Sequence, residues 1–356
     1  MGKRRSRGEG SVYKRKDGSW CAQYSHGSKK KYLYAKTKKA VTDRLREQMN
    51  AIHTGDLVEI EPVTIDEYLD RWLASVEGTV RDRTLQRYEG LVRNHINPEI
   101  GGMMLGSLTP SDIQGLYQKK LKGGLSPRSV EYIHITINKA ISQAVLWQMV
   151  NRNVAATVKP PKPLKKEIQV LCAEEVKRFL ETAEGDRYWA LFVLGITTGM
   201  RAGELLGLKW LDVDFGKNRL HVRRTLWRGK TYPPKTKKGY RTIPLPSMSV
   251  EALMFQRLKT EAEWVFPTKK GTCVNYSNVV RRSFKPLLQK AGLPDMPFHS
   301  ATRHTCATLL LSEGVHPKLV QEMLGHATIS ITLDLYSHVT PIMQERTASA
   351  MEEALA

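Results

Sequence analysis

The sequence lacks three things that mark large classes of protein. It has no run of ~18 apolar residues, so no membrane-spanning helix is expected. Its four cysteines, Cys21, Cys172, Cys273 and Cys306, are scattered without a CxxC spacing. They read as reduced packing thiols of a cytoplasmic protein, neither disulfides nor zinc ligands. The N-terminal stretch Met1 to Arg7 has the charge that begins a signal peptide but no apolar segment behind it. Acidic residues are also scarce: 35 Asp and Glu face 56 Lys and Arg, a net charge of +21. That imbalance bears on partners rather than on fold, and it asks for a polyanion. No amphipathic segment concentrates the charge, which favours nucleic acid over a membrane surface.

What is present is an ordinary globular composition. With 356 residues and 41% hydrophobic content, the chain allows two or three domains, each with a core. Residues 1–55 hold fifteen Lys and Arg against four Asp and Glu, about half of the whole excess. Gly10 to Tyr24 reads as two strands around an Asp17-Gly18 turn, with a third strand at Lys30 to Tyr34. A helix follows from Lys38 to Ile52. A three-stranded sheet with interleaved aromatics and lysines has a face that fits a DNA groove.

Residues 62–158 read as an all-helical block. Thr64 with Glu67 forms a capping box before Ile65, Leu69, Trp72, Leu73 and Val76 at helical spacing. Leu85, Tyr88, Leu91, Val92 and Ile96 mark a second helix. Thr109-Pro110 and Ser126-Pro127 each read as an N-cap with proline at the first helical position. His95 and His134 sit among these apolar stripes and read as surface or core histidines. Lys159-Pro160-Pro161-Lys162-Pro163 is stiff and cannot continue a helix, so it reads as a linker and a domain boundary.

The block from 166 to 345 is mixed. A helix begins at Glu174-Glu175, and Tyr188 to Ile196 reads as a buried helix stopped by Thr197-Thr198-Gly199. Arg201 opens the next helix in an apolar neighbourhood, where a guanidinium needs either Glu204 or a bound phosphate. Arg219 to Leu226 alternates like one strand, with Tyr240 to Leu245 as its partner. Lys235-Thr236-Lys237-Lys238-Gly239 between them reads as a basic tip. Further on, Leu309, Leu310, Leu311, Val315, Leu319, Val320 and Leu324 would pack two short helices split by Gly314 and Pro317. These helices would present Arg303, His326 and Tyr336 outward. An arginine for an anion, an imidazole and a phenolic oxygen together suit chemistry on a phosphate.

Thr197 to Glu204, Pro234-Lys235-Thr236-Lys237, Arg303-His304-Thr305, Leu324-Gly325-His326 and Tyr336-Ser337-His338-Val339 together resemble the tyrosine recombinase (lambda integrase-like) family, in the integrases of phages and conjugative elements. The motifs keep the family's order and near-family spacing. The resemblance implies a multidomain α+β fold. It would comprise an arm-type DNA-binding domain at 1–55 with a three-stranded sheet plus helix, and an all-helical core-binding domain at 62–158. A mainly helical catalytic domain with a small β-sheet would span 166–345, with a C-terminal tail at 346–356 docking on a neighbouring protomer.

The implied roles are specific. Tyr336 would attack the scissile phosphate to give a 3′-phosphotyrosyl link, and Arg201 and Arg303 would bind its non-bridging oxygens. Lys235 would protonate the leaving 5′-oxygen, with Lys237 and Lys238 as neighbouring competitors, and His326 would hydrogen-bond the phosphate. The family places a histidine three residues before the second arginine, whereas His299 stands four before Arg303. His299 is assigned as general base, with Ser300 and His304 as competitors. Implied partners are double-stranded DNA at core and arm sites, a homotetramer on DNA, and an accessory excision factor. No cofactor or metal is implied. A non-cleaving architectural or regulatory DNA-binding protein, and a topoisomerase-like nicking–closing enzyme, are the alternatives.

Overall fold

The computed structural model of the chain describes residues 10–26, 29–53, 62–164, 168–234, 236–336 and 355. Two compact units emerge, residues 1–165 and 166–356. Among the described residues no helix is long and apolar enough to cross a membrane.

The first unit opens with a three-stranded antiparallel sheet, β1 (Ser11–Lys14), β2 (Trp20–His26) and β3 (Lys29–Ala35), in that order. The β1–β2 connection closes where expected. Gly18 has φ +84°, its N–H donates to the Arg15 carbonyl at 3.1 Å, and Asp17 accepts from the Ser19 N–H at 3.0 Å. Register places Val12, Ala22 and Leu33 side by side on one face. Helix α1 (Lys38–His53) covers that face with Val41 and Leu45. The opposite face carries Tyr13, Tyr32 and Tyr34 in the open, with the Arg15 guanidinium 5.2 Å from the Tyr34 ring centroid.

Helices follow from residue 65: α2 (Ile65–Val76), α3 (Asp82–Leu91), α4 (Asn97–Ile100), α5 (Pro110–Lys122) and α6 (Pro127–Leu146). A π turn at Val92–Ile96 joins α3 to α4. Their apolar stripes close a core around Tyr68, Trp72, Ile113, Tyr117 and Ile133. The proline-led helices start as expected, with Thr109 accepting from the Asp112 N–H and Ser126 from the Ser129 N–H. At α2 the Glu67 carboxylate accepts from the Thr64 N–H at 3.0 Å, while the Thr64 hydroxyl turns to Asp66. His134 pairs with the Tyr117 hydroxyl at 2.9 Å, a packing role.

The second unit is built on α8 (Trp189–Thr198), which is buried on nearly every side, as its unbroken apolar sequence requires. Against it lie α7 (Ala173–Thr182), α10 (Ser247–Leu258), α11 (Tyr276–Val279) and α12 (Lys285–Lys290). Phe179, Phe192, Phe284 and Phe298 interlock at centroid separations of 5.2–6.3 Å, mostly edge to face or tilted. After the short α9 (Ala202–Leu206), β4 (Val213–Asp214), β5 (Arg219–Val222) and β8 (Arg241–Pro244) form one antiparallel sheet. Strands β6 (Thr225–Trp227) and β7 (Lys230–Tyr232) form a separate hairpin.

The single strand expected from Arg219 to Leu226 is therefore broken in two. Asp212 is 1% exposed and must be paired. Arg224 leaves the ladder to pair with it, giving Nη2 to Oδ1 at 3.2 Å. The last helices, α13 (Thr305–Ser312), α14 (Pro317–Leu324) and α15 (Ser330–Tyr336), include the expected pair around Gly314 and Pro317. Leu311, Val320 and Leu324 pack between them, whereas Leu319 stays exposed.

Phe192 touches three other rings and is fully buried. Phe192→Ala is expected to cost about 3–5 kcal/mol of stability, read as a fall in the urea midpoint. A loss below about 1 kcal/mol would mean that this cluster is not the unit's core.

Candidate functional site

Helix α8 ends on Gly199, whose φ of +59° favours glycine. A Cβ there would stand 2.3 Å from Leu324 Cδ2, so the chain end of α8 meets α14 backbone to side chain. The Gly199 carbonyl accepts from Arg303 Nη1 at 2.7 Å. Two residues on, Arg201 caps α9. Its N–H donates to Glu204 Oε2 at 3.0 Å and its Nη1 to Glu204 Oε1 at 2.9 Å. Its Nη2 donates to the Gly325 carbonyl at 3.2 Å. The Arg201 side chain keeps 42% of its surface exposed. It is thus paired with Glu204 and also open to a ligand, where the sequence left the two as alternatives.

The arginine that is buried is Arg303, at 2% exposure. The outward presentation expected of Arg303 and His326 is not what forms: both are buried, Arg303 against the Gly199 carbonyl and His326 against Thr332. Arg303 Nη2 is buried with no hydrogen-bond partner among the described residues. Desolvation, then the Arg201 charge, lowers its pKa to about 9, which still leaves it cationic at neutral pH. A buried guanidinium with one arm unanswered is an anion site in waiting.

The imidazoles are held neutral. His326 is 6% exposed, and its Nδ1 shares a hydrogen bond with the Thr332 hydroxyl at 2.9 Å. Burial first, then Arg303 and Arg201, pull its pKa down to about 3. His299 keeps an exposed edge, yet desolvation and the charges of His304, Arg303 and Arg201 also depress it. His304 stacks edge-on against it, ring centroids 4.5 Å apart, and its buried Nδ1 has no partner among the described residues.

The four-residue spacing between His299 and Arg303 has a structural answer. Residues Ser300–His304 form a π turn, in which the Thr305 N–H reaches back five residues to the Ser300 carbonyl. Four residues are close to one turn of either an α- or a π-helix, so the histidine stays on the arginine's side. Ser300, the competitor at three-before, is 9% exposed.

Lys235 lies outside the described residues. Further along the segment, Lys238 donates to the Ala327 carbonyl at 3.0 Å, next in sequence to His326. Tyr336 ends α15, the helix that carries Thr332, and its side chain lies outside the described residues, as do 337–354. Thus Arg201, Arg303, His299 and His326 come together, from segments up to 125 residues apart.

Two contributors carry weaker sequence signals. Glu204 is 4% exposed and shared by Arg201 and Arg241, whose Nη2 stands 2.9 Å from Oε2. Burial alone would raise its pKa, but the Arg241 hydrogen bond and both charges hold it low. The three-residue spacing hinted at Glu204, whereas nothing in the alternation of β8 singles out Arg241. Among the described residues no group of three His, Cys, Asp or Glu side chains is placed to hold a metal.

The comparisons with known proteins agree with this layout. The Phage integrase family matches residues 169–342, and the Phage integrase, N-terminal SAM-like domain matches 64–122. A Tyrosine recombinase XerC-like protein of Caldanaerobacter subterraneus subsp. tengcongensis is 34% identical over 348 residues, covering 88% of each chain. An Integrase of Streptomyces ambofaciens is 28% identical, covering 97% of this chain and 96% of its own. Among solved structures, the Tn1549 transposon integrase with a circular intermediate DNA superposes at TM-score 0.71. That match has 23% identity and covers 83% of this chain and 100% of the other. A lambda integrase tetramer bound to a Holliday junction gives 0.62 at 19% identity, covering 91% of this chain and 94% of the other. The chain belongs to the tyrosine recombinase, or phage integrase, family of site-specific recombinases.

Neutral burial of His326 has a measurable consequence. Between its folded pKa of about 3 and the ordinary 6.5, the unfolded chain binds more protons than the folded one. The contribution to stability is complete above pH 6.5 and is lost as pH falls toward about 3. From pH 6.5 to 5 this group alone should remove roughly 1.5 kcal/mol. His326→Gln is expected to flatten that part of the stability–pH profile, checked by urea unfolding at both pH values. Equal slopes in both proteins would mean that the imidazole is not held neutral.

Proposed function

We propose that this chain is an active site-specific DNA recombinase. It cuts and rejoins strands through a 3′-phosphotyrosyl intermediate and a Holliday junction, integrating and excising a mobile element. The observation that carries the reading is the unanswered Nη2 of buried Arg303 beside half-exposed Arg201 and two neutral imidazoles. This donor set fits a tetrahedral phosphate and the extra charge of its transition state.

In this reading the Tyr336 oxygen forms a bond to phosphorus as the bond to the 5′-oxygen breaks. A phenol of pKa ~10 is a poor nucleophile at neutral pH. His299, uncharged at neutral pH and so with a free ring lone pair, takes its proton. Lys235 gives a proton to the departing 5′-oxygen, and Arg201, Arg303 and His326 hold the non-bridging oxygens. Attack by the 5′-hydroxyl of a second strand then reverses the step. The number of phosphoester bonds is conserved, so neither ATP nor a metal is needed to drive rejoining.

Residues 1–55 are assigned to arm-type DNA sites, 62–158 to core sites, 166–345 to catalysis and the tail 346–356 to a neighbouring protomer. The exposed Tyr13–Tyr32–Tyr34 face and the surplus of +21 support two modes of contact with duplex DNA. The relatives support the assembly: the lambda integrase match is a tetramer on a Holliday junction, and the Tn1549 integrase match holds a circular intermediate DNA. We infer the same homotetramer here, acting in the cytoplasm, with an accessory factor biasing it toward excision.

A suicide duplex carrying the junction DNA that flanks the gene tests the chemistry. Wild type should accumulate a covalent protein–DNA adduct, Tyr336→Phe none, and Arg303→Lys about 10²–10³-fold less. No adduct from wild type on DNA that it binds would leave the non-cleaving architectural reading in its place. Relaxation of plasmids lacking any target site would favour the nicking–closing reading. DNA affinity should fall steeply with salt, with a slope of about −0.9 per neutralised phosphate in log–log form. A flat dependence between 50 and 200 mM salt, the span of roughly 10³–10⁵-fold losses for many-contact binders, would contradict a phosphate-dominated interface.

A further inference from the structure

Arg241 lies outside every motif that carries the resemblance, yet it touches three of the segments that build the site. It sits on β8 with its side chain 7% exposed. Its Nε donates to the Met323 carbonyl at 2.7 Å, at the end of α14. Its Nη1 donates to the Gly239 carbonyl at 3.3 Å, at the end of the Lys237–Gly239 turn. Its Nη2 meets Glu204 Oε2 at 2.9 Å, while Arg201 Nη1 takes Oε1.

We propose that Arg241 is a positioning residue for strand cleavage, locking the Met323–His326 turn, the Lys238–Gly239 segment and the Glu204–Arg201 pair into one register. The inference rests on the recombinase reading above and adds a residue to it.

Three features carry it. Gly325 has φ +66°, and a Cβ there would stand 2.9 Å from the Lys238 carbonyl and 3.1 Å from Arg241 Nη1. The turn before His326 is therefore moulded directly on the guanidinium. The Gly325 carbonyl in turn receives Arg201 Nη2, so Arg241 and Arg201 grip the same turn from two sides. Second, the planar fork supplies donors in three directions at once, which a lysine's single nitrogen cannot copy. Third, Glu204 is divided between two arginines. One carboxylate facing two guanidinium groups leaves the pair net positive, so Arg201 stays attractive to a phosphate instead of being neutralised.

Arg241→Lys and Arg241→Gln, in the full-length chain, test this against a merely structural role. Affinity for the junction duplex should stay within about twofold, because Arg241 is buried and makes no surface contact to offer DNA. Single-turnover adduct formation at saturating protein should fall about 10–100-fold in Arg241→Lys, as expected when reacting groups are slightly misplaced. Arg241→Gln should fall at least as far. Histidine-labelled NMR supplies a readout independent of activity. The His326 resonance, identified by its loss in His326→Gln, should not titrate above pH 5 in wild type but should shift its midpoint upward in Arg241→Lys.

A wild-type adduct matched in rate by Arg241→Lys overturns the inference and leaves the recombinase reading standing. A slower Arg241→Lys with an unchanged His326 titration and a lowered Tm also overturns it, since the loss is then one of stability. No adduct from wild type removes the recombinase reading and this inference with it.

Discussion

The second unit depends on a shortage of negative charge. Arg201, Arg241 and Arg303 converge on the ends of α8, α9 and α14, and Glu204 is the carboxylate that the first two share. Among the described residues, Arg303 gets only a backbone carbonyl, on one arm. Folding buries guanidinium groups without enough anion to match them, a cost of several kcal/mol per unanswered charge by order of magnitude. Such strain persists where the rest of the core over-determines it, and here the apolar α8 and the four-phenylalanine cluster do so. The missing charge is what the proposed function assigns to a DNA phosphate.

That deficit also sets the histidines. A cationic imidazole beside two arginines would add to the repulsion, and burial already disfavours it. The pKa values of His299 and His326 are accordingly lowered, and His326 shares a hydrogen bond with Thr332. The π turn at Ser300–His304 belongs to the same arrangement. His299 stands about one turn before Arg303, and the His304 ring lies edge-on against that of His299.

Much of this was legible in the sequence. The Asp17-Gly18 turn, the Thr109-Pro110 and Ser126-Pro127 helix starts and the Gly199 stop are local signals, each tied to one backbone requirement. The motifs around Arg201, Arg303, His326 and Tyr336 were visible as a set because their order and spacing match a family. The split of Arg219 to Leu226 was not legible, since alternation cannot register a buried Asp212 that draws Arg224 away. Nor was the inward burial of Arg303, which depends on α13 and α14 closing over Gly199.

By itself, then, the sequence determined the family: residue types, their order and a charge of +21 survive any detail of packing. It also determined where most elements start, because caps, prolines and glycines act within a turn of themselves. Only the tertiary structure decided which arginine is buried, which is half open and which is shared. Those states depend on contacts between segments distant along the chain, such as Arg201 with Gly325 and Arg241 with Met323. Local patterning carries no record of such neighbours, and Arg241 took its place in the site only once the chain had folded.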